Sequence, residues 1–261
     1  MILRDTKIPI VEIFNSIQGE VNLNPAIFIR SGLCCFTCKG FGCSLEAPDG
    51  TVVEGCDTIR AVSPKFKENW KYYSNFKDLT NEVNKHIVVN GNKITEQKQD
   101  IIWTGGEPTI HWNTKVMQDT LSYYISRGHN ITIETNGSLD FEFFREYQKK
   151  ITFSISVKLS NSGELKERRF NTEMVTKIIE NCPSSYLKFV INPETYENDI
   201  EEIYEFLDDI PAYIKVYFMP QGATQSELQK NTRFVIEKCI ENNFSFTDRA
   251  HIRAWNDKEG V

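Results

Sequence analysis

Residues Ser31–Thr58 read SGLCCFTCKGFGCSLEAPDGTVVEGCDT and hold five of the seven cysteines in the chain. The other two, Cys182 and Cys239, stand alone. So many thiols in a chain without a secretory signature indicate metal or iron–sulfur binding rather than a disulfide framework. A structural zinc site is the alternative. Zinc modules usually carry paired Cys-x2-Cys or Cys/His ligands, however, and no second pair follows here at the expected distance.

The cysteine spacing within this stretch suits a cubane iron–sulfur cluster. Cys34 and Cys38 are separated by three residues, and a later cysteine stands in the tripeptide Cys56-Asp57-Thr58. Three thiolates can hold such a cluster while one iron is left without a protein ligand and open to a small molecule. The additional Cys35 and Cys43 leave other ligand sets open.

Composition places limits on the remaining function classes. The chain has 261 residues, of which 40% are hydrophobic and 25% charged, as in an ordinary soluble globular protein. Its formal net charge of −6 offers no basic surface for nucleic acid. No apolar run approaches the ~18 residues of a membrane span, and charged residues interrupt the N-terminal segment. We therefore expect one cytoplasmic domain over residues 1–261, with neither a nucleic-acid nor a membrane partner.

From residue 100 onward, β-prone apolar runs alternate with helical patterns. The predicted strands are Ile8–Phe14, Pro25–Ser31, Asp100–Trp103, Ile131–Glu134, Ile151–Val157, Tyr186–Ile191 and Tyr213–Phe218. The predicted helices are packing helices within 59–98, then Thr114–Arg127, Phe141–Lys149, Thr172–Asn181 behind Asn171, Asp199–Asp208 and a last helix from Thr224 to about Glu241. Thr224-x-x-Glu227 at the start of the last helix predicts a capping box. Repeated strand–helix units imply a parallel sheet, which binds ligands at the carboxyl ends of its strands. We predict a partial (β/α) barrel of about six parallel strands with its site at those ends.

Several segments at these strand ends resemble one family. The cysteine stretch and Thr104-Gly105-Gly106-Glu107-Pro108 resemble the cluster loop and GGE motif of radical S-adenosylmethionine (SAM) enzymes. Further segments resemble the 7-carboxy-7-deazaguanine synthases within that superfamily; they are SIQGE (16–20), ETNG (134–137), SVKLS (156–160), MPQG (219–222) and the Arg-x-His motif at 249–251. The resemblance runs from about residue 8 to Val261. It is most specific in the cysteine stretch and in TGGEP.

The chain departs from the family pattern at two places. The family carries Cys-x3-Cys-x2-Cys, whereas Lys39–Gly55 separates Cys38 from Cys56 here. The turn residues at 48–50 predict a hairpin over residues 43–53, which would return the chain to where it left and bring Cys56 into the family position. Cys43 would end close by and is the main rival ligand. The second departure is Val157, which stands where the family has the proline of Ser-Pro-Lys.

The resemblance implies roles for individual residues. The cluster ligands would be Cys34, Cys38 and Cys56, and the Mg²⁺ ligand would be Thr58. The SAM-binding residues would be Gly55, Asp57, Gly106, Glu107, Ser156, Lys158 and Gln221. The substrate-binding residues would be Ile17, Gln18, Gly19, Glu20, Arg30, Thr104, His251 and Val261. For Arg30, an ordinary ion pair is the alternative.

The resemblance also implies an activity. The family converts 6-carboxy-5,6,7,8-tetrahydropterin to 7-carboxy-7-deazaguanine by hydrogen abstraction at C6, ring contraction and loss of ammonia. The family uses a [4Fe–4S] cluster, SAM and Mg²⁺. The resemblance further implies that the chain forms a homodimer and receives electrons from a flavodoxin-like or other one-electron reductant. A glycyl-radical-enzyme activating protein would share the cluster and TGGEP but act on a protein. A non-enzymatic iron–sulfur or zinc protein would explain the cysteines but not the other motifs.

The carboxyl terminus is expected to belong to the substrate site. A β-prone run at Phe244–Thr247 and an alternating apolar pattern at His251–Trp255 predict a segment that is tied down rather than disordered. In the family that this chain resembles, the terminal carboxylate, here that of Val261, accepts hydrogen bonds from the amino-pyrimidine edge of the pterin. The alternative is that this segment merely covers an open edge of the sheet.

Overall fold

The computed structural model describes residues 3–88, 98–256, 258 and 260. Its strands are β1 (Ile8–Ile17), β2 (Pro25–Ser31), β3 (Cys43–Glu46), β4 (Val52–Gly55), β5 (Lys71–Tyr73), β6 (Asp100–Gly105), β7 (Ile131–Thr135), β8 (Ile151–Ile155), β9 (Tyr186–Ile191), β10 (Lys215–Pro220) and β11 (Ser245–Phe246). Nine of them form one sheet in the order β11-β10-β9-β8-β7-β6-β2-β1-β5, and β3 pairs with β4 alone.

Six consecutive strands of the large sheet, β2 and β6 to β10, are parallel, which confirms the predicted partial barrel. The short β11 extends the parallel set, while β1 and β5 add antiparallel strands at the other edge. β10 begins at Lys215 rather than at Tyr213, and β5 was not predicted. The central strands are buried on both faces; in β6, for example, every residue from Asp100 to Thr104 is buried. That is the expected pattern for a sheet covered by helices.

Several of the α-helices begin at or next to the predicted starts, Thr114, Thr172 and Thr224, while the helix predicted from Asp199 begins three residues earlier, at Tyr196. The helices are α1 (Ile59–Val62), α2 (Phe76–Asn84), α3 (Lys115–Ser126), α4 (Lys166–Arg169), α5 (Thr172–Asn181), α6 (Tyr196–Asp208), α7 (Gln225–Asn242) and α8 (Ala250–Trp255). Thr224 accepts the Glu227 N–H at 3.3 Å and Glu227 accepts the Thr224 N–H at 3.1 Å, which confirms the capping box. Asn171 caps α5 through its side-chain Oδ1, which accepts the Met174 N–H at 3.0 Å. Among the described residues, no helix is long and apolar enough to cross a membrane.

The helix predicted over Phe141–Lys149 is wrong. Only Glu146–Lys150 is helical, as a short 3₁₀ turn. The ring of Trp112 lies 4.5 Å from that of Phe141, and its indole N–H donates to a carbonyl of the same segment. Gln148 Oε1 accepts two backbone N–H groups at 2.8 and 2.9 Å. Aromatic packing therefore stabilises a non-helical conformation of this segment. Side chains form hydrogen bonds with backbone groups that a helix would have paired internally.

The predicted hairpin in the cysteine stretch is confirmed as β3 and β4. Cys43 pairs with Gly55 across the two strands, and the turn between them places Gly50 at a φ of 79°, where a glycine is unstrained. The hairpin packs on α1 and the following 3₁₀ turn through a small apolar cluster around Ile59 and Phe66, separate from the main core. Cys56 follows β4 directly, so the inserted segment returns the chain to the carboxyl end of β2.

Candidate active site

A cavity of about 1700 Å³ lies at the carboxyl ends of the parallel strands. The cysteine stretch with its hairpin, the ends of β6 to β10 and the C-terminal segment contribute its lining. Pockets for a single small ligand usually measure roughly 300–1,000 Å³. This cavity therefore has room for a cofactor and a substrate together.

Three cysteines form one side of the cavity, which we call the cysteine wall: Cys34, Cys38 and Cys56 all line it. Cys43 lines it as well, whereas Cys35 does not. The Cys35 thiol lies 3.3 Å from both Ser138 Oγ and Asn136 Nδ2, and it also hydrogen-bonds the Cys34 thiol. Within the described part of the chain, no three Cys, His, Asp or Glu side chains are arranged to hold a single metal ion.

Neighbouring backbone and side chains fix the conformation of the cysteine stretch. The carboxylate of Glu164 accepts the backbone N–H groups of Thr37 at 2.7 Å and Cys38 at 3.2 Å. The Phe36 N–H donates to Cys34 Sγ at 3.4 Å. A side chain at Gly106 would collide with the backbone of Leu33, so the glycine segment after β6 can only lie this close without a Cβ. Glu164 was not predicted, because nothing in its local sequence marks it.

Lys158 supplies positive charge to the cysteine wall. Burial raises the pKa of the Cys38 thiol to about 12, and burial likewise raises the pKa of Cys56. The Lys158 ammonium opposes both shifts, and Nζ also donates to Ser156 Oγ at 3.0 Å. A cation and an N–H donor beside buried thiols stabilise the thiolate form, which is the form that ligates metal. The donor set of the cysteine wall therefore fits an iron–sulfur cluster.

Arg249 joins the cysteine stretch to the C-terminal segment. Its guanidinium forms an ion pair with Asp57 and donates to the carbonyl oxygen of Gly222 at 2.8 Å. The pair lowers the pKa of the Asp57 carboxyl to about 2. The Arg-x-His motif was noticed in the sequence, but no role was assigned to this arginine. It ties three separate rims of the cavity together.

The residues predicted to bind SAM fall into two groups. Gly106, Asp57, Ser156, Lys158 and Gln221 line the cavity, whereas Gly55 and Glu107 do not. Gln221 Oε1 is buried, and it has no hydrogen-bond partner among the described residues. An unpartnered buried acceptor in a cavity wall is expected where a ligand supplies the donor.

Glu107 lies beneath the cavity floor, completely buried. Its Oε1 accepts the Thr109 N–H at 3.0 Å and the hydroxyl groups of Thr109 and Thr135 at 2.7 Å each. The Asn136 N–H donates to its other oxygen at 2.7 Å. All of these donors come from the protein, so Glu107 holds the ends of β6 and β7 together. Any contact of the Gly105-Gly106-Glu107 part of the motif with a ligand is therefore left to the backbone.

The residues predicted to bind substrate are also divided. Gly19, Glu20, Arg30, Thr104 and His251 line the cavity. Ile17 and Gln18 do not, and Gln18 Oε1 instead accepts two N–H groups of the β1–β2 loop at 3.0 Å each. Val261 lies outside the described residues, although the nearby Lys258 and Gly260 line the cavity.

Two of these cavity residues have defined electrostatic surroundings. Arg30 Nε donates to Glu12 at 2.7 Å, so Arg30 does form the ordinary ion pair that was its alternative role in the sequence. Burial, reinforced by the nearby Arg249, lowers the pKa of His251 to about 4, so its imidazole is neutral at physiological pH. A neutral imidazole both donates and accepts a hydrogen bond.

A second side of the cavity, which we call the acid–lysine wall, consists of Glu20, Glu134 and Lys188. Lys188 forms an ion pair with Glu20, and Thr104 Oγ1 donates to Glu134 Oε2 at 2.6 Å. No role was predicted for Glu134 or Lys188. The signal for Lys188 was present, since it is a lysine in the middle of the apolar strand YLKFVI.

No family model matches the chain. Individual known proteins do match it, and they bear the name of the family that the motifs resemble. The chain is 26% identical to a 7-carboxy-7-deazaguanine synthase of Halobacterium salinarum, over 96% of this chain and 91% of the relative. It is 25% identical to one of Pyrobaculum aerophilum, over 97% of each, and 28% identical to one of Aquifex aeolicus, over 76% and 83%.

The fold also matches a solved structure. The crystal structure of QueE from Escherichia coli superimposes with a TM-score of 0.61 at 21% identity, covering 93% of this chain and 94% of that one. Sequence similarity thus extends over nearly the whole chain in several relatives of one name, and the fold is shared. On these grounds the chain is a homologue of the 7-carboxy-7-deazaguanine synthases of the radical SAM superfamily.

Proposed function

We propose that the protein is a radical SAM lyase that converts 6-carboxy-5,6,7,8-tetrahydropterin to 7-carboxy-7-deazaguanine with loss of ammonia, in the biosynthesis of queuosine and other 7-deazapurines. One observation carries this proposal. A single cavity joins the cysteine wall to the acid–lysine wall in a chain whose full-length relatives bear the name of that activity.

The cysteine wall is proposed to hold the cofactors. Cys34, Cys38 and Cys56 would ligate a [4Fe–4S] cluster, whose open iron would take SAM. Bound together, cluster and SAM supply a 5′-deoxyadenosyl radical that removes a hydrogen atom from the substrate. The SAM contacts are assigned to the backbone at Gly106 and to side chains beyond β8 and β10, namely Ser156, Lys158 and Gln221. Asp57 would act through its ion pair with Arg249, which keeps the cysteine stretch against the C-terminal segment.

The remaining cavity residues are proposed to bind and orient the pterin. Arg30 would donate to the substrate carboxylate, since a guanidinium has five N–H donors and Glu12 accepts the one on Nε. His251 would act as a neutral hydrogen-bonding group. Thr104, Glu20 and Gly19 would contact the ring edge, and Val261 would present the terminal carboxylate. Thr58 would provide a hydroxyl ligand to Mg²⁺, whose other ligands would be substrate oxygens and water.

The setting of the enzyme is proposed on the same grounds. It would work in the cytoplasm, where thiol ligands stay reduced, as a homodimer served by a flavodoxin-like or other one-electron reductant. All seven cysteines are free thiols in the structure, as such a compartment requires.

The test is a turnover assay under anaerobic conditions. Protein reconstituted with iron and sulfide is incubated with carboxytetrahydropterin, SAM, Mg²⁺ and dithionite, and the product is identified by mass. We expect 7-carboxy-7-deazaguanine, and none when SAM or reductant is omitted. Arg30→Gln should weaken substrate binding, while Arg233→Gln, a substitution of an exposed arginine on α7, serves as its control. A fully loaded protein that cleaves SAM but leaves the pterin unchanged would contradict the proposal.

A further inference from the structure

The acid–lysine wall contains two partly buried carboxyl groups but only one paired cation. Lys188 Nζ contacts Glu20 Oε1, and Ser154 Oγ donates to Glu20 Oε2 at 3.1 Å. Glu134 forms no ion pair among the described residues, and its one hydrogen bond is the 2.6 Å contact from Thr104 Oγ1 to Oε2. The neighbouring carboxyls are thus held by different kinds of partner.

Strand register explains why these groups meet. Glu134 on β7 stands opposite Ser154 on β8, and Lys188 enters from β9, the next strand. Glu20 reaches the same place from the β1–β2 loop, where Thr247 Oγ1 donates to its backbone carbonyl. Strand pairing and a tied loop therefore fix the backbone positions of all three residues.

We propose that Lys188 is a positioning residue that holds Glu20 as an ionised hydrogen-bond acceptor, leaving Glu134 as a protonated hydrogen-bond donor beside it. The wall then presents an acceptor and a donor together. That pair recognises a heterocycle edge on which a ring N–H stands next to a ring carbonyl, with Glu20 accepting from the N–H and Glu134 donating to the carbonyl. This inference rests on the proposed function, because the tetrahydropterin carries such an edge.

Burial and charge favour the same division. Two adjacent buried carboxylates repel each other, so a pair with one counter-ion retains a proton on the member that lacks it. The Lys188 ammonium and the two hydrogen bonds outweigh burial and lower the pKa of Glu20. Burial and the Glu20 charge raise the pKa of Glu134. Thr104 donates to Oε2 of Glu134, which leaves Oε1 to carry the proton.

Other charged and titratable groups act on the two carboxyls from neighbouring elements. They are Arg30 at the end of β2, Arg249 before α8, Tyr186 at the start of β9 and His251 in α8. Arg30 is engaged by Glu12 and Arg249 by Asp57, while His251 is neutral at physiological pH. Tyr186 is buried, and burial raises the pKa of its phenol, so it adds no charge. None of these groups replaces Lys188 as the contact partner of Glu20.

Infrared spectroscopy of the cluster-loaded enzyme without substrate tests the protonation states directly. A buried protonated carboxyl has a C=O stretch distinct from that of a carboxylate. We expect this band at neutral pH in the wild type, its loss in Glu134→Gln and its retention in Glu237→Gln, which changes an exposed carboxyl on α7. The inference would be overturned if the Glu134→Gln spectrum kept every such band of the wild type.

Substrate kinetics test the positioning role of Lys188. Lys188→Met should raise the KM for the pterin by about tenfold or more, as expected when a charged hydrogen-bonding group loses its partner in a buried site. Lys188→Arg should recover most of that loss, because it keeps the cation. Lys215→Met changes an exposed lysine on the adjacent strand and is the matched control. Equal KM values for Lys188→Met and Lys215→Met would also overturn the inference.

The donor role of Glu134 has its own signature. Glu134→Leu should raise KM at least about tenfold more than Glu134→Gln, since only the amide can still donate. The wild-type KM should rise with increasing pH as Glu134 ionises, and this rise should vanish in Glu134→Gln.

The two proposals fail differently. Turnover without the Glu134 band contradicts this inference alone, whereas the band without pterin binding or turnover contradicts the proposed function.

Discussion

The cysteine wall and the acid–lysine wall face one cavity but are built in different ways. The cysteine wall comes from a single stretch of chain, and its three thiols can be picked out by their spacing. The acid–lysine wall takes Glu20 from a loop and Glu134 and Lys188 from two strands separated by β8. One wall is local in sequence, and the other exists only because the strands pair in a fixed register. The difference shows why motif reading finds cofactor ligands more readily than substrate contacts.

The largest effect is expected in the cysteine wall. Cys34→Ala, Cys38→Ala and Cys56→Ala should each lose most of the iron and sulfide that the reconstituted wild type binds, because each would remove one of the three thiolate ligands. Counting iron and sulfide per chain after anaerobic reconstitution provides the measurement.

The extra cysteines are the matched controls for that series. Cys35 lies against Asn136 and Ser138, and Cys43 stands in the inserted hairpin, so Cys35→Ala and Cys43→Ala should keep the cluster. If Cys43→Ala loses its cluster while Cys56→Ala retains one, the wall has been assigned to the wrong thiols.

A large effect on substrate binding is expected at the chain end. Lys258 and Gly260 line the cavity, so deleting residues 259–261 or appending a C-terminal tag should raise the pterin KM by about tenfold, as expected from the loss of a charge-assisted hydrogen bond. Cluster content and SAM binding should not change. An N-terminal tag is the control, and an unchanged KM in both C-terminal constructs would show that this segment is only structural.

A smaller effect is expected for Thr58. Its hydroxyl lies 3.2 Å from Cys56 Sγ at the border of the cysteine wall. Turnover should rise with Mg²⁺, and Thr58→Ala should reduce that response several-fold without loss of iron, whereas Thr58→Ser should preserve it because the hydroxyl remains. Equal rates in chelator and in excess Mg²⁺ would remove any metal role for this residue.

A separate effect, on stability, is expected at His251. Its folded-state pKa is lowered to about 4, while an unfolded histidine titrates near 6.5, so between these values the unfolded chain binds the extra proton. Stability should therefore fall as pH decreases through this window, by about 2 kcal/mol between pH 7 and pH 5. Denaturant unfolding of His251→Gln should show a weaker pH dependence than the wild type. His86→Gln, which changes a histidine outside the cavity, should behave as the wild type does.

Local patterns predicted much of the fold. The parallel strands and the Thr224–Glu227 capping box follow from a few neighbouring residues, and the structure contains them. The helix predicted over Phe141–Lys149 failed because Trp112, distant in sequence, packs against that segment. Tertiary contacts override local propensity in this way wherever aromatic packing is dense.

The same distinction applies to the cavity. Lys158 and Gln221 follow strands directly, and their place in the lining could be expected from motif position alone. Gln18 and Glu107 belong to recognisable motifs as well, yet their side-chain oxygens are used by backbone and hydroxyl donors of the protein. Lys188 could not be paired with Glu20 from the sequence, because their contact depends on how a loop enters the barrel.

The proposed reaction requires that a group held at the cysteine wall act on a substrate held at the acid–lysine wall. Turnover of carboxytetrahydropterin deuterated at C6 tests this most directly, with both reaction products analysed by mass. We predict deuterium in 5′-deoxyadenosine and formation of 7-carboxy-7-deazaguanine in the same reaction. Undeuterated 5′-deoxyadenosine, or SAM cleavage without pterin conversion, would contradict the proposed reaction.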